Sequence, residues 1–194
     1  ADRLYGGDGW DRVTYSSATS GVTASLLTPA SNTGEAKGDT YSSIEHLTGS
    51  RFNDTLSGNN GANGIAGGSG NDVIRGYNGN DVLAGGDGRD AFVFNTELSS
   101  KGNVDQISDF KPSDDTIWLE NAIFSTLTTL GTLASSAFRA NTSGLAGDAT
   151  DRIIYETDTG KLTYDENGSA SGGGIHFATL TAGLTLTNAD FFVV

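Results

Sequence analysis

The chain has 194 residues, 28 of them glycine, with no cysteine and a formal net charge of −13. This length suits one domain or two small ones, the missing cysteine excludes a disulfide framework or a thiolate metal site, and the acidity argues against nucleic acid and anionic membrane surfaces as partners. The sequence also holds no run of 18 apolar residues, so we expect no membrane insertion.

The N-terminus begins inside a glycine-rich pattern of nine residues. The stretch LYGGDGWDR starts at Leu4, which lies nine residues before Val13, and Asp2 lies nine residues before Asp11. No N-terminal signal peptide is recognisable. Because the chain starts in the middle of a repeat, we expect a fragment or processed product of a longer parent, with any catalytic domain upstream.

Residues 13–46 lose this phase but keep β character. Their β-branched content and alternation predict strands at Val13–Tyr15 and Val22–Leu27, followed by a polar loop, TPASNTGEAKGDT. We expect the segment to add strands to the structure that the following repeats form. Asp39 and Glu45 are either extra metal ligands or solvated loop acids, and we favour the second interpretation.

Residues 47–91 divide into five nines that share one phase. They read LTGSRFNDT, LSGNNGANG, IAGGSGNDV, IRGYNGNDV and LAGGDGRDA. Self-similarity at a fixed period outweighs local propensity. Glycine permits tight turns, and each apolar residue falls in a strand too short to stand alone. Two nines therefore make one coil, whose apolar residues stack in two facing sheets: Leu47, Ile65 and Leu83 in one, Leu56, Ile74 and Phe92 in the other.

Acidic residues recur in the turns of these repeats, with Asp54, Asp72 and Asp90 on one side of the coil and Asn63 and Asp81 on the other. Neighbouring strands lie about 5 Å apart, so stacked carboxylates repel strongly in a partly dehydrated turn. Ca²⁺ resolves this repulsion because it takes about six to eight oxygens from carboxylates and backbone carbonyls. A metal-free glycine-rich linker, the alternative, needs no common phase of aspartate, glycine and leucine. We expect the side that carries Asn63 to bind more weakly.

The repeat resembles the nonapeptide of the RTX proteins, GGxGxDxUx, whose copies form a calcium-binding β-helix. Residues 13–46 resemble the widened coil that separates blocks of RTX repeats. The resemblance implies Ca²⁺ as the bound cofactor. The predicted calcium ligands are Asp11, Gly49, Asp54, Asn63, Gly67, Gly68, Ser69, Gly70, Asp72, Gly76, Asn78, Gly79, Asp81, Gly85, Gly86, Asp87, Gly88, Asp90, Asp105 and Asp109.

The stretch that follows the repeats predicts two strands, Val104–Phe110 and Asp115–Leu119, joined by a turn at KPSD. Its spacing, DxIxDF and then DxIxL, resembles the C-terminal part of serralysin-type metalloproteases and of other type I-secreted proteins, where it caps the open end of the roll. A cap is physically needed, because an uncapped roll exposes a bare sheet edge. Asp105, Asp109 and Asp115 either complete the last calcium sites or are surface acids at strand ends.

The C-terminal third predicts a short helix near Leu133–Arg139, a hairpin around Asp158-Thr159-Gly160 and a strand at Ile175–Leu180. Asp165, Asn167 and Ser169 alternate as ligands do in an EF-hand loop, but the required glycine and glutamate are missing. We interpret them as a polar turn. The tail from Asp190 to Val194 resembles the uncleaved signal of type I secretion substrates, and a final β-strand is an equally compatible interpretation.

Taken together, these patterns predict an all-β fold. Residues 1–94 are expected to form a parallel β-roll, that is, a calcium-stapled β-helix, with a widened segment at 13–46. Residues 95–194 are expected to form a mostly antiparallel β cap that carries the type I secretion signal.

The predicted function is a calcium-binding module that stays unfolded at low calcium and folds on secretion to the exterior of a bacterial cell. Its expected partners are Ca²⁺, the type I secretion machinery and the upstream domain of the parent. No HExxH or GxSxG motif occurs, so this chain is not expected to be an enzyme. The alternatives are the accessory end of a secreted polysaccharide-modifying enzyme or protease, or the end of a bacterial adhesin.

Overall fold

The computed structural model describes residues 1–169 and 172–194, and nearly all of their regular structure is short β-strand. The helical elements among these residues are 3₁₀ turns of three residues each, and none is long or apolar enough to cross a membrane. The strands are β1 (Arg3–Tyr5), β2 (Arg12–Thr14), β3 (Thr23–Ser25), β4 (Thr40–Ser42), β5 (His46–Thr48), β6 (Thr55–Ser57), β7 (Gly64–Ser69), β8 (Val73–Arg75), β9 (Val82–Asp87), β10 (Ala91–Phe94), β11 (Asp105–Ile107), β12 (Thr116–Leu119), β13 (Gly131–Thr132), β14 (Phe138–Asn141), β15 (Ile153–Glu156), β16 (Lys161–Asp165), β17 (Gly174–Thr179) and β18 (Phe191–Val193).

These strands form two large sheets and one small one. One sheet has the order β13-β18-β12-β10-β8-β6-β3, and the other has the order β14-β15-β16-β17-β11-β9-β7-β5-β2. The strands β1 and β4 pair separately. Within the repeats every pairing is parallel, so the chain alternates between the two large sheets and returns to the same sheet after 18 residues.

The inner residues of the repeats stack in the two predicted sheets. Leu47 pairs with Ile65 and Ile65 with Leu83 in the nine-stranded sheet. Leu56 pairs with Ile74 and Ile74 with Phe92 in the facing sheet. All six side chains are at most 2% exposed. The predicted parallel roll is therefore confirmed, and burial of each such side chain stabilises it by roughly 1.5–3 kcal/mol.

The segment at 13–46 widens this roll as expected. Its strands β2 and β3 extend the nine-stranded and seven-stranded sheets through parallel pairing with β5 and β6. However, the prediction that Asp39 is a solvated loop acid is wrong. Asp39 is 4% exposed and accepts hydrogen bonds from the Tyr15 hydroxyl and the Asp2 amide, each at 2.8 Å. Tertiary packing therefore buries this loop acid, and its carboxylate is satisfied by two hydrogen-bond donors.

The C-terminal cap continues both sheets of the roll. The strand β12 pairs in parallel with β10 and β18, and β11 pairs in parallel with β9 and β17. Antiparallel pairing is confined to β13–β18, β15–β16 and β16–β17. The prediction of a mostly antiparallel cap is therefore wrong, because strands that add to the edges of a parallel roll take its direction. Both sheets run across the predicted boundary between residues 94 and 95.

Two local predictions in the cap have different outcomes. The hairpin around Asp158-Thr159-Gly160 is confirmed, with β15 and β16 paired antiparallel and Gly160 at a φ of +80°. The helix predicted near Leu133–Arg139 is wrong. A 3₁₀ turn at Ser135–Ala137 stands there, preceded by a hydrogen bond from the Leu133 amide to the Phe191 carbonyl. Ala134 before this turn and Phe138 after it are both extended, so the helical conformation is confined to three residues.

The stacking of the coils makes a specific demand on glycine that alanine substitution can measure. Gly86 and Gly7 have similar left-handed φ values of +100° and +93°. A β-carbon at Gly86 would overlap the Gly68 carbonyl oxygen of the preceding coil, whereas one at Gly7 meets nothing within 4 Å. We expect Gly7→Ala to cost the backbone strain alone, about 1–2 kcal/mol. Gly86→Ala should cost about 1–3 kcal/mol more, because it also forces two coils apart.

The measurement is urea denaturation of both variants in saturating calcium. Equal losses in the free energy of unfolding would contradict the close approach of these coils.

Candidate metal centre

The turns that connect the two large sheets stack into two columns. Each turn in the repeats has six residues and ends at the acidic position. The Asp72 column contains the turns 49–54, 67–72 and 85–90, and the Asp81 column contains the turns 58–63 and 76–81. The turn 6–11 lies on the same side as the Asp81 column, because β2 pairs with β5 in the sheet that β7 and β9 continue.

A ladder of hydrogen bonds runs through the Asp72 column. The Oδ1 atom of each aspartate accepts a hydrogen bond from a backbone amide one coil earlier. Asp54 accepts from Val22 at 2.7 Å, and Asp72 accepts from Asp54 at 2.8 Å. Asp90 accepts from Asp72 at 2.8 Å, and Asp115 accepts from Asp90 at 3.0 Å. One carboxylate oxygen per coil is thus used to fix the register of stacked turns.

The Asp81 column has the same ladder with different members. The Asn63 amide donates to Asp81 Oδ1 at 2.8 Å, and the Asp81 amide donates to Asp105 Oδ1 at 3.1 Å. At the N-terminal end the Asp11 amide donates to Glu45 Oε2 at 3.0 Å. The interpretation of Glu45 as a solvated loop acid is therefore wrong, because its longer side chain takes the position of an aspartate in this ladder.

The second carboxylate oxygen divides the turns into two forms. In what we call the open form, the Oδ2 atom is buried and has no hydrogen-bond partner in the protein. In the closed form, the backbone amide of the second turn residue donates to a side-chain oxygen of the last residue, which is Oδ2 in Asp54 and Asp115 and Oδ1 in Asn63. The open turns end at Asp11, Asp72, Asp81 and Asp90. The closed turns end at Asp54, Asn63 and Asp115, with Ser50, Asn59 and Lys111 as the respective donors.

Backbone conformation at the second turn residue accompanies this division. In the open turns this residue has a positive φ, with Gly7 at +93°, Gly68 at +115°, Tyr77 at +72° and Gly86 at +100°. The second residues of the closed turns are absent from the left-handed region. Tyr77 adopts the left-handed conformation although it carries a β-carbon, which costs roughly 1–2 kcal/mol. The open form at Asp81 is therefore retained at the expense of local strain.

The first glycine of each turn lies where oxygens of neighbouring coils converge. A β-carbon at Gly67 would overlap both Asp72 Oδ2 and the carbonyl oxygen of Gly85 in the following coil. At Gly85 and Gly76 it would overlap the Oδ2 atoms of Asp90 and Asp81. Carboxylate oxygens without a donor, placed beside backbone carbonyl oxygens, are the ligands that Ca²⁺ prefers. The residues therefore fit this ion.

Backbone carbonyls must supply much of the coordination. Across residues 1–169 and 172–194, no group of three or more His, Cys, Asp or Glu side chains is arranged to hold a metal. The glycines at the second and fourth turn positions bring the backbones of successive coils together. Gly68 and Gly70 approach the carbonyls of Ser50 and Phe52 in this way. Gly79 and Gly88 likewise approach those of Gly61 and Gly70.

Burial raises the pKa of the turn acids. Desolvation, with the charges of Asp54 and Asp90 added, raises the pKa of Asp72 to about 7. Desolvation also raises the pKa values of Asp90 and Asp115. In the Asp81–Asp105 pair, burial raises the pKa of both carboxyls, and the charge of Asp81 raises that of Asp105 further. Without a cation, the folded state therefore disfavours ionised turn acids.

Several predicted ligands engage donors within the protein. Both oxygens of Asp109 accept backbone hydrogen bonds, from Gly85 at 3.0 Å and Gly86 at 2.9 Å. The Asn78 amide donates to Asn60 at 3.0 Å, and Ser69 and Asp87 are exposed. The role of these side chains as ligands stays a prediction, as it does for Asp54 in its closed turn and for Gly49, whose β-carbon would meet the Gly67 carbonyl oxygen.

The ladder also includes Asp115, for which the sequence left open a ligand of the last calcium sites or a surface acid at a strand end; it is buried, so the second interpretation is wrong. It lies 25 residues after Asp90, so a period of nine or eighteen misses it. A shorter signal marks every ladder acid, namely an aliphatic or aromatic residue two positions later that becomes an inner rung. This unit occurs at Asp11–Val13, Glu45–Leu47, Asp54–Leu56, Asp72–Ile74, Asp81–Leu83, Asp90–Phe92, Asp105–Ile107 and Asp115–Ile117.

Comparison with known families agrees with this geometry. The family model of the RTX calcium-binding nonapeptide repeat, which spans four copies, matches residues 1–17, 39–74 and 65–92. These ranges contain all four open turns. No curated protein matches the chain.

The raised pKa values predict how the calcium-free protein responds to pH. A carboxyl whose pKa is higher in the folded state binds more protons when folded, so the free energy of unfolding falls as pH rises toward that folded pKa. For Asp72 this window runs from its ordinary value up to about 7. We expect the metal-free protein to be more stable at about pH 6.5 than at about pH 8.5, by up to about 1.4 kcal/mol per pH unit for each proton bound.

The check is the β-structure signal in circular dichroism of the calcium-free protein across this range, with an excluded osmolyte such as trimethylamine N-oxide added to populate the folded state. This pH range stays above the range in which His176 titrates. Burial lowers the pKa of His176, so its titration would make stability rise with pH, opposite to the effect of the carboxyls. Stability that is flat or rises with pH would contradict the assignment of buried, unpartnered carboxylates.

Proposed function

Because the chain carries an RTX calcium-binding repeat region, we propose that it is a module whose folding depends on calcium. The observation that carries this proposal is the pair of Oδ2 atoms of Asp72 and Asp81, which are buried without a donor. Bound Ca²⁺ supplies the positive charge that these oxygens lack. The protein's own contribution is to hold carboxylate and carbonyl oxygens of successive coils at one place.

At low calcium the repeats have little to hold them together. Each coil contributes mostly three-residue strands, and folding dehydrates carboxylates stacked about 5 Å apart. Extracellular calcium modules have dissociation constants on the order of 10⁻⁴ to 10⁻³ M. Binding free energy at such sites becomes folding free energy, because the site does not exist in the unfolded chain. Each coil supports the next, so the transition should be cooperative.

We further propose that this switch serves type I secretion of a larger bacterial protein to the extracellular medium. A chain that stays unfolded at cytoplasmic calcium suits passage through an export channel, and RTX repeats are typical of secreted proteins. The C-terminal tail forms β18, with Phe191 fully buried between β12 and β13. In this proposal the export machinery reads the tail in the unfolded chain, and the same residues dock afterwards. The chain itself performs no catalysis, and its partners are Ca²⁺, the exporter and an upstream domain.

A calcium titration tests the proposed switch. In EGTA we expect a circular dichroism spectrum with little β-structure, and at millimolar Ca²⁺ a cooperative gain of β signal. Mg²⁺ at the same concentration should have a much smaller effect, because it demands octahedral geometry and gives up its water reluctantly. A folded spectrum in EGTA that calcium leaves unchanged would sink the proposal.

Replacement of Asp72 by asparagine tests the role of the open turns. Asp72→Asn keeps an oxygen that can accept from the Asp54 amide but removes a buried charge and a candidate ligand. We expect it to raise the calcium concentration at half folding by roughly tenfold or more. In EGTA at pH 8 it should stabilise the folded form, since a buried charge is gone. The matched control is Asp158→Asn, at an exposed turn acid, and equal responses of the two variants would contradict the assignment.

A further inference from the structure

The last interval of the Asp72 column lies between the turn 85–90 and residues 110–115. The latter segment, FKPSDD, contains no glycine, yet it forms a closed turn whose acid stands at the sixth position. Asp115 Oδ1 accepts from the Asp90 amide at 3.0 Å, and Asp115 Oδ2 accepts from the Lys111 amide at 2.8 Å. The column therefore continues for one coil beyond the recognisable repeats.

Lys111 of this segment and Asp109, which directly precedes it, carry opposite charges, and both contact the last open turn. The ammonium of Lys111 donates to the Gly86 carbonyl oxygen at 2.7 Å and lies 3.7 Å from Asp87 Oδ1. The carboxylate of Asp109 accepts from the Gly85 and Gly86 amides. Asp90, whose second oxygen has no donor, is also within the electrostatic influence of Lys111, which lowers its pKa against the stronger effect of burial.

No other interval has such a cation. Among the described residues, Asp54, Asp72, Asp81, Asp90 and Asp105 form no ion pair with a lysine, an arginine or a histidine. In the Asp81 column the carbonyl of Tyr77, at the same turn position as Gly86, accepts instead from the neutral hydroxyl of Thr96 at 2.9 Å. The last interval there contains two buried carboxyls, Asp81 and Asp105, without an ammonium group.

We propose that the Lys111 ammonium is the cation of the last interval in the Asp72 column, where it takes the place of a calcium ion. This inference rests on the proposed function, because it assumes that the other intervals bind calcium. An ammonium and Ca²⁺ share a preference for carbonyl and carboxylate oxygens, but the ammonium is tethered to the chain. The last interval therefore closes without a bound calcium ion of its own.

The position of Lys111 matters here more than the energy of one ion pair. The side chain is 44% exposed and its partner Asp87 is 89% exposed, and pairs of this kind contribute little to stability in water. The ammonium provides a positive charge at the Gly86 carbonyl oxygen. Neither the closed turn of Asp115 nor the Asp109 carboxylate supplies a positive charge there.

The test compares Lys111→Gln with Lys101→Gln, which removes the same charge from an exposed lysine outside the columns. Isothermal titration calorimetry and native mass spectrometry count the bound calcium ions at saturation. We expect Lys111→Gln to bind one ion more than Lys101→Gln. The same number of ions in both variants would overturn the proposal.

A third variant decides the outcome if Lys111→Gln does not fold in millimolar calcium. Lys111→Arg keeps a fixed charge, so it should fold and bind as many ions as the wild type. Failure of Lys111→Arg as well would overturn the proposal, since the shape of lysine and not its charge would then be required. The wild-type calcium titration is measured first. Its absence of response would end the proposed function, whereas equal ion counts beside an intact wild-type response would end only this inference.

Discussion

The buried carboxylates of Asp54, Asp72, Asp81 and Asp90 each have two oxygens to satisfy in a place that water barely reaches, and the roll depends on how this is done. From Asp54 onward, one oxygen of each ladder carboxylate accepts a hydrogen bond from an amide of the preceding coil, and within the repeats this fixes successive coils at the 18-residue return. The second oxygen meets an amide of its own turn or meets none. Because an unpartnered buried carboxylate is costly, the turns of the second kind are the ones that require a cation.

The conformation of one residue accompanies the choice between these two kinds of turn. Left-handed backbone at Gly68, Tyr77 and Gly86 goes with a free oxygen, and Ser50 and Asn59 go with a turn that satisfies its own acid. The glycine pattern thus has a chemical meaning beyond flexibility. In the Asp72 column, the open turns of Asp72 and Asp90 lie between the closed turns of Asp54 and Asp115, which meet the widened segment and the cap.

The periodic part of the fold could be predicted because one phase governs turns and inner rungs together, so Leu47, Ile65 and Leu83 had to share a sheet. Strand direction in the cap could not, since β11 and β12 follow the roll only through partners far away in sequence. The repeat period did not place Glu45 and Asp115 in the ladder for a related reason. Spacings of 34 and 25 residues to their donors replace the 18-residue period, although each acid still precedes an inner residue by two positions. Asp39 is buried by a tyrosine 24 residues away, which no local pattern reveals.

The hydrogen-bond ladder has a direction. In the Asp72 column, each ladder amide donates to a carboxylate of the coil that follows it in the chain. Each such coil therefore turns backbone donors toward its C-terminal side and carboxylate acceptors toward its N-terminal side. The two ends of the roll are unlike, and the cap, through Asp105 and Asp115, provides the acceptors that the amides of Asp81 and Asp90 require at the C-terminal end.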